Sequence, residues 1–279
     1  MFSSVGQERT QGTEPSVGVL GGDLPKQDAD GLSKVVAKSE DETFDMLEKI
    51  QGGMYSGMKL KKISKTGPSG SHEFVWKKKG NTDEGADVEF DFAKISAKSK
   101  TRINDGELDL GKIKKLILYH NAAEVLPMLK IHEENKMDLL HLYCGSLSEL
   151  GSLLKRKNRV FIGLVDEISL SSYAINLLTK IETQKGNKMT ELMIWCGSLS
   201  KIQPLRESEE KLYLGKIKDL EFSLCVSDRT EEKIREILKT RNVIRDSWGT
   251  DQMTGSQDTG KKQDTGKMIL CGLLLILCL

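Results

Sequence analysis

The sequence has little of what enzymes and metal proteins depend on. Only 5% of its 279 residues are aromatic, and its four histidines are scattered along the chain. No cysteine or histidine lies at ligand spacing to another, which disfavours zinc. The phosphate-loop, dinucleotide-binding and HExxH motifs do not occur. We therefore predict that the protein is not an enzyme and that it uses no cofactor and no metal.

The cysteines are few and indicate a reducing compartment. There are five of them, an odd number, and they form no CxxC pair. The first ten residues, MFSSVGQERT, have neither the basic start nor the apolar core of a secretory signal. We expect buried thiols in a cytosolic protein.

The chain has 42 Lys and Arg residues and 41 Asp and Glu residues, so its net charge is close to zero. Its overall charge therefore does not indicate nucleic-acid binding. Nucleic-acid binding would have to depend on local clusters of basic residues. The basic segment 59–79 has aromatic residues among its lysines, which suits a single strand whose bases stack on rings, but a solvated lysine-rich loop has the same pattern. The run KRKNR offers the same two alternatives. The candidate nucleic-acid-binding residues are Lys59, Lys61, Lys62, Lys77, Lys78, Lys79, Lys155, Arg156, Lys157 and Arg159.

Composition divides the chain into three parts. Residues 1–84 are predicted to be a largely disordered arm that contains a short amphipathic helix at 41–50. Residues 85–246 are predicted to fold, because strand-like apolar runs follow one another there. The clearest helix, TEEKIREILKTRN, closes this domain, with Thr230 as its expected N-cap. Residues 247–279 are a polar linker and a short apolar tail.

The apolar tail MILCGLLLILCL has 12 residues, fewer than the roughly 20 that a membrane-spanning helix needs. It could insert into a membrane surface, or it could dock on the protein's own core. The expected membrane contacts are Met268, Ile269, Leu270, Leu273, Leu274 and Leu275.

Two segments of the chain are nearly identical. LYCGSLS and IWCGSLS place their cysteines 52 residues apart (196 − 144). Both have the pattern of a strand that ends in a glycine and a serine-rich turn. Either a strand and its turn are duplicated, or two sheet edges are similar by chance.

Several features between about 138 and 246 resemble the thirty-kilodalton superfamily of plant-virus movement proteins. The apolar run FIGLVD ends in Asp166, LLHLYCGSL precedes it, and Gly215 opens LGKIKDLEFSLCV 49 residues later (215 − 166). Residues 1–130 have no counterpart in this resemblance, and the apolar C-terminus departs from the family.

The resemblance implies an α+β, strand-rich fold, with a jelly-roll-like β domain between disordered arms. It also implies that the protein binds single-stranded RNA or viral nucleoprotein and carries it through plasmodesmata. Asp166 and Gly215 would then be structural and transport determinants. The expected location is the host cytoplasm, the membrane periphery and cell junctions, with plasmodesmal proteins, host membrane and further copies of the chain as partners.

A second function fits the same sequence. A viral phosphoprotein, a polymerase cofactor or a matrix-type adaptor would link nucleoprotein to other proteins or to membrane. The disordered arm and its helix at 41–50 suit that function, because acidic amphipathic helices in such arms often dock on partners.

Overall fold

Most strands of the protein have apolar residues at alternate positions, and they pair in one large sheet. The computed structural model describes residues 31–79, 84–241 and 243. Within them, nine strands form a large sheet and two short strands form a second one. The strands are β1 Leu32–Ala37, β2 Met58–Lys65, β3 His72–Lys78, β4 Ala86–Phe92, β5 Ile113–His120, β6 Lys136–Cys144, β7 Val160–Phe161, β8 Leu164–Ser172, β9 Ile181–Glu182, β10 Lys188–Trp195 and β11 Lys216–Phe222.

The helices are mostly short, and several of them follow strands. The α-helices are α1 Glu40–Gln51, α2 Ala97–Lys100, α3 Gly151–Leu154, α4 Gln203–Glu207 and α5 Asp228–Thr240. The 3-10 helices are η1 Asn121–Met128, η2 Leu147–Leu150, η3 Tyr173–Thr179 and η4 Leu199–Ile202.

The strand order of the large sheet is β1-β3-β2-β4-β5-β6-β8-β10-β11. The pairs β1–β3 and β2–β3 are antiparallel, and every pair from β2–β4 to β10–β11 is parallel. The prediction of a strand-rich α+β fold is confirmed. The jelly-roll-like arrangement is wrong, because a jelly roll consists of two antiparallel sheets. Here short helical connections return the chain across one face, so successive strands add side by side in one direction.

A 52-residue period organises the parallel strands. Gly111, Gly163 and Gly215 lie 52 residues apart (163 − 111 and 215 − 163), and their φ angles are +74°, +72° and +77°. They precede β5, β8 and β11, so each period contains two strands of the large sheet and one short strand of the small sheet. LGKIKKL and LGKIKDL, 104 residues apart (214 − 110), are the corresponding segments of β5 and β11. The likeness of LYCGSLS to IWCGSLS is therefore a structural duplication, because the two segments end β6 and β10.

Two buried asparagines join the beginnings of neighbouring strands at equivalent positions of the repeat. The Asn135 side chain accepts a hydrogen bond from the Ile113 N–H at 2.7 Å and donates to the Ile113 carbonyl at 3.2 Å. The Asn187 side chain makes the same two bonds with Val165, each at 3.1 Å, and also donates to the Leu214 carbonyl at 3.4 Å. These bonds satisfy backbone groups where one parallel strand begins beside the next.

The first described segment is part of the same folded body. Helix α1 begins after Ser39, whose side chain accepts a hydrogen bond from the Glu42 N–H, and it buries Phe44 against Phe92 at 5.6 Å between ring centroids. The predicted helix at 41–50 is confirmed. A largely disordered arm up to residue 84 is wrong for residues 32–78, because their strands pair within the large sheet. Residues 1–30 lie outside the described residues.

The other end of the core is covered by α5. Its N-cap is Ser227 rather than the predicted Thr230, and Thr230 itself is buried at the start of the helix. Ile234 and Leu238 are fully buried. Beyond the helix, the Arg241 guanidinium donates to the Leu205 carbonyl at 3.0 Å and to the carbonyl of Ser208. These bonds fix the end of α5 beside α4. Both ends of the stacked strands therefore carry a covering helix, as solenoids require.

Candidate functional site

The helices and the core lie on one face of the large sheet, and a row of half-buried polar and aromatic side chains lies on the other. Because successive side chains of a strand point to opposite faces, this second face is given by alternate residues. We call it the open face. From β4 to β11 its residues are Asp87, Glu89, Asp91, Lys115, Ile117, Tyr119, Leu139, His141, Tyr143, Glu167, Ser169, Ser171, Glu191, Met193, Trp195, Asp219 and Glu221.

The centre of the open face is a strip of small side chains along β8. Ser171 pairs in register with Tyr143 on one side and with Trp195 on the other. Neighbouring strands are about 4.8 Å apart, so the backbones that carry the two aromatic residues are about 10 Å apart. The larger neighbours cover the small side chains, and Ser169 and Ser171 are only 5% and 3% exposed. We call this strip the serine trough; its floor is Ser169 and Ser171, and it is flanked by His141, Tyr143, Met193 and Trp195.

Three polar atoms of the serine trough are buried without a hydrogen-bond partner in the described part of the chain. They are His141 Nε2, Ser171 Oγ and Trp195 Nε1. A buried polar group without a partner costs about 1–3 kcal/mol. All three atoms are also shielded from solvent, so neighbouring side chains must move before a ligand can reach them.

His141 is a neutral side chain in this setting. It is 1% exposed, and burial lowers its pKa to about 4. Its Nδ1 lies 3.0 Å from the Ser169 hydroxyl, and the Tyr119 ring lies 5.7 Å from the imidazole centroid. A nucleophilic serine requires a histidine whose second nitrogen is oriented by another group. No described residue hydrogen-bonds to Nε2, so the described part of the chain supplies no such orienting group.

Acidic residues line one end of the open face. Glu167, Glu191 and Asp219 pair in register across β8, β10 and β11. Glu191 is 7% exposed, whereas Asp219 is exposed. At the opposite end of the strand order, on β1 and β2, Lys34 and Lys62 flank Val75 of β3 in the same register. This row of the open face thus carries lysines on β1 and β2 and carboxylates on β8, β10 and β11, with Asp87 and Lys115 between them.

The lysines predicted to bind nucleic acid in segment 59–79 lie on β2, on β3 and just after β3. Lys61, Lys62, Lys78 and Lys79 are exposed, and Lys59 and Lys77 are half-buried. The aromatic part of that prediction is wrong. Phe74 and Trp76 are 0% and 1% exposed, because the core side of β3 carries them. Tyr55 stacks on Trp76 at 4.5 Å, so these rings cannot stack on bases.

The second predicted basic cluster lies in the connection between α3 and β7. Arg156 forms an ion pair with Asp105. Arg159 lies 3.4 Å from a Glu210 carboxylate oxygen and 4.4 Å from the centre of the Tyr213 ring. The other two members, Lys155 and Lys157, are exposed. The two basic clusters thus belong to separate elements rather than to one surface.

Asp166 and Gly215 occupy positions of the internal repeat. Asp166 corresponds to Lys114 and Lys218, each 52 residues away (166 − 114 and 218 − 166). Its backbone carbonyl accepts a hydrogen bond from the Thr190 hydroxyl at 3.1 Å. At Gly215 a Cβ atom would lie 2.2 Å from the Asn187 carbonyl oxygen. Gly215 is therefore a structural residue that no other amino acid can replace without a shift of the backbone.

Comparison with models of protein families, with characterised proteins and with solved structures found no match. Among the residues that the structure describes, no group of three or more His, Cys, Asp or Glu side chains could hold a metal ion. In the same part of the chain, no helix is both long and apolar enough to cross a bilayer. The predicted membrane contacts at 268–275 lie outside the described residues.

The serine trough was not predicted, although its signal is present in the sequence. The duplicated segments contain Tyr143 and Trp195 at the same position, each directly before a cysteine. A period of 52 residues with two strands per period places these two residues on alternate strands of one sheet. Ser171 lies between them in space, near the end of β8.

Proposed function

We propose that the protein is a repeat-type binding module that holds a polypeptide of a partner protein on its open face. The observation that carries the proposal is the serine trough, where half-buried aromatic side chains adjoin three polar atoms that lack a hydrogen-bond partner in the described part of the chain. This is the adaptor-type alternative of the sequence analysis. It requires no chemistry beyond recognition.

The side chains of the open face are of the type that dominates protein interfaces. Tyr and Trp are enriched among residues that contribute most to binding, because they bury a large area at a low entropy cost. Three of them, Tyr119, Tyr143 and Trp195, are half-buried on adjacent or alternate strands of the open face. Stacked repeats of a strand and a short helix, as in leucine-rich-repeat solenoids, offer continuous surfaces for such binding.

The charges of the open face favour a polypeptide over a nucleic acid. Nucleic-acid binding depends on cations that neutralise phosphates, whereas Glu167, Glu191 and Asp219 would repel phosphates from the acidic end. The lysines of β2 and β3 remain candidates for a separate contact with RNA. Transport through plasmodesmata, self-association and membrane association likewise remain predictions.

A display library of random twelve-residue peptides tests the proposed function. Peptides selected on the full chain should bind the Trp195→Ala and Tyr143→Ala variants at least about tenfold more weakly, as expected for interface residues that each contribute more than about 1.4 kcal/mol. Affinity is measured by fluorescence polarisation, and circular dichroism confirms that each variant is folded.

Phe161→Ala is the matched control. Phe161 is an aromatic residue of β7, 36% exposed, in the small sheet. Its removal should change peptide affinity less than about twofold, as expected away from the interface. Selection of no peptide, or of peptides that bind Trp195→Ala as tightly as wild type, would show that the open face is not the binding surface.

A further inference from the structure

We infer that the small sheet is a second binding surface, on which a single strand of nucleic acid stacks two of its bases on Phe161 and Tyr213. This surface is separate from the open face and goes beyond the proposed function. With both surfaces, the protein holds a polypeptide on one side and a nucleic acid on another.

The aromatic part of the surface consists of two equivalent residues of the repeat. Phe161 and Tyr213 lie 52 residues apart (213 − 161), and at 36% and 42% they are the most exposed aromatic residues in the described part of the chain. Both pair in register with Glu182, which lies between them. Val160 and Ile181, which precede Phe161 and Glu182, are buried, so this row faces outwards. Two strand spacings place the aromatic residues about 10 Å apart.

Cationic side chains adjoin the aromatic pair. The Arg159 guanidinium lies 4.4 Å from the centre of the Tyr213 ring, and it adds a second flat group on which a base can stack. Lys180 joins the two loops that lead into the aromatic pair, residues 155–159 and 208–212. Its Nζ donates to the Arg156 carbonyl at 3.1 Å and to a Glu210 carboxylate oxygen at 2.5 Å. The two loops therefore form one surface beside the rings.

The charges of these two loops favour an anionic ligand. The Glu210 carboxylate is paired with Arg159 and with the buried Lys180, which leaves Glu209 as the exposed carboxylate of the two loops. Three exposed lysines of the loops form no ion pair within the described part of the chain: Lys155, Lys157 and Lys211. Lysines beside exposed rings are the combination that binds single strands, because cations neutralise phosphates while bases stack on the rings.

Glu182 favours a nucleic acid over a membrane as the ligand. Its side chain is half-buried between the two aromatic residues, and its carboxylate makes no hydrogen bond or ion pair within the described part of the chain. A membrane that took up the two rings would bury this charge with them, which is unfavourable. A base instead presents an amino group to a carboxylate, as cytosine does. We therefore expect the surface to prefer cytosine to uracil, which lacks the amino group.

Fluorescence anisotropy with labelled twelve-nucleotide RNAs tests the inference on the full chain. Oligo(C) should bind, and Phe161→Ala and Tyr213→Ala should each weaken its binding at least about fivefold, as expected when one stacked base is lost. Trp195→Ala is the matched control, because it removes an aromatic side chain from the open face; it should leave RNA affinity within about twofold. Circular dichroism confirms that each variant is folded.

The salt dependence of oligo(C) binding tests the phosphate contacts. Three lysines on phosphates should give a slope of log K against log salt of about −2, because each contact with a single strand contributes about −0.7. Lys157→Ala should make the slope shallower by about 0.7. Lys49→Ala removes the same charge from the exposed surface of α1 and should leave the slope unchanged.

Comparison of oligo(C) with oligo(U) tests the base contact of Glu182. The wild-type protein should bind oligo(C) at least about fivefold more tightly, and Glu182→Ala should reduce this preference to less than about twofold. Equal affinity of the wild-type protein for the two RNAs would refute the base contact.

The remaining outcomes separate this inference from its competitor and from the proposed function. RNA that binds Phe161→Ala and Tyr213→Ala as tightly as wild type would overturn the inference, as would the absence of RNA binding at about 50 mM salt. Mixed phosphatidylcholine–phosphatidylserine vesicles that bind the protein through Phe161, without any RNA binding, would assign the surface to a membrane. None of these outcomes affects peptide binding on the open face, which is recognised by its dependence on Trp195.

Discussion

Replacing Asn135 by alanine tests whether the repeat is held together by its buried asparagines. Asn135 is 1% exposed and makes two hydrogen bonds to the backbone of Ile113, which is also 1% exposed. The substitution leaves the N–H and the carbonyl of Ile113 without these partners at the beginning of β5. Water cannot easily replace them, because the surrounding residues are buried.

The expected loss follows from the number of bonds removed. Each buried backbone group left without a partner costs about 1–3 kcal/mol, so the loss of two partners in Asn135→Ala should lower the free energy of unfolding by about 2–6 kcal/mol. Asn187→Ala removes three bonds, to Val165 and to Leu214. It should cost at least as much, because the two asparagines occupy the same position of the repeat.

Urea unfolding followed by circular dichroism measures both losses. Asn104→Ala is the control, because Asn104 is exposed and its side chain bonds only an exposed Glu107 carboxylate at 3.0 Å; it should change stability by less than about 0.5 kcal/mol. Losses below about 1 kcal/mol at both buried sites would refute the structural role of the asparagines. A large loss at one site alone would show that the two repeats are not equivalent.

Three further perturbations test other parts of the structure. Gly215→Ala should lower the free energy of unfolding by more than about 3 kcal/mol, because the substitution combines a positive φ with a backbone overlap. Gly106→Ala is the control: Gly106 has φ +70° and no atom within 4 Å of an added Cβ, so the loss should be only about 1 kcal/mol. Similar losses for the two variants in urea unfolding would contradict this. Burial lowers the pKa of both His72 and His141 to about 4, below the unfolded value of about 6.5. Between these two values the unfolded chain binds more protons than the folded one, so the free energy of unfolding should decrease as pH falls from 6.5 towards 5, by about 1.4 kcal/mol per pH unit for each histidine. A free energy of unfolding that stays constant over this range would refute the prediction. Asp166→Lys should change stability by less than about 0.5 kcal/mol, because lysines occupy the equivalent repeat positions; a loss above about 2 kcal/mol would restore Asp166 as a structural determinant.

Local patterns in the sequence were sufficient for several individual elements. The acidic first turn and the apolar stripe of α1 predicted its bounds to within a residue or two. Helix α5 was also predicted, although the N-cap was misplaced by three residues (230 − 227). Both Ser and Thr are good caps, and only the backbone at Ser227, which is extended, distinguishes them. Such elements depend on neighbours within one helical turn.

The arrangement of the strands depends on information that no short segment contains. An apolar run such as that of β8 fits a parallel or an antiparallel neighbour equally well. In β2 and β3 the frequent lysines concealed the alternation of buried residues, so that Leu60, Ile63 and Trp76 were assigned to a disordered arm although they are buried. The order of the parallel strands, by contrast, could have been inferred by comparing LGKIKKL with LGKIKDL, because their separation is two periods of 52 residues.

The open face is harder to predict than the core for a different physical reason. Residues of the open face are not selected by burial in the core, so they follow no hydrophobic period. What brings Tyr143 and Trp195 together is that their separation of 52 residues (195 − 143) equals one full period, that is, two strands. The residue between them, Ser171, comes 28 residues after the first and 24 before the second. Once the period is known, any three open-face residues with this spacing form a row across the sheet, and the row Leu139, Glu167 and Glu191 follows in the same way.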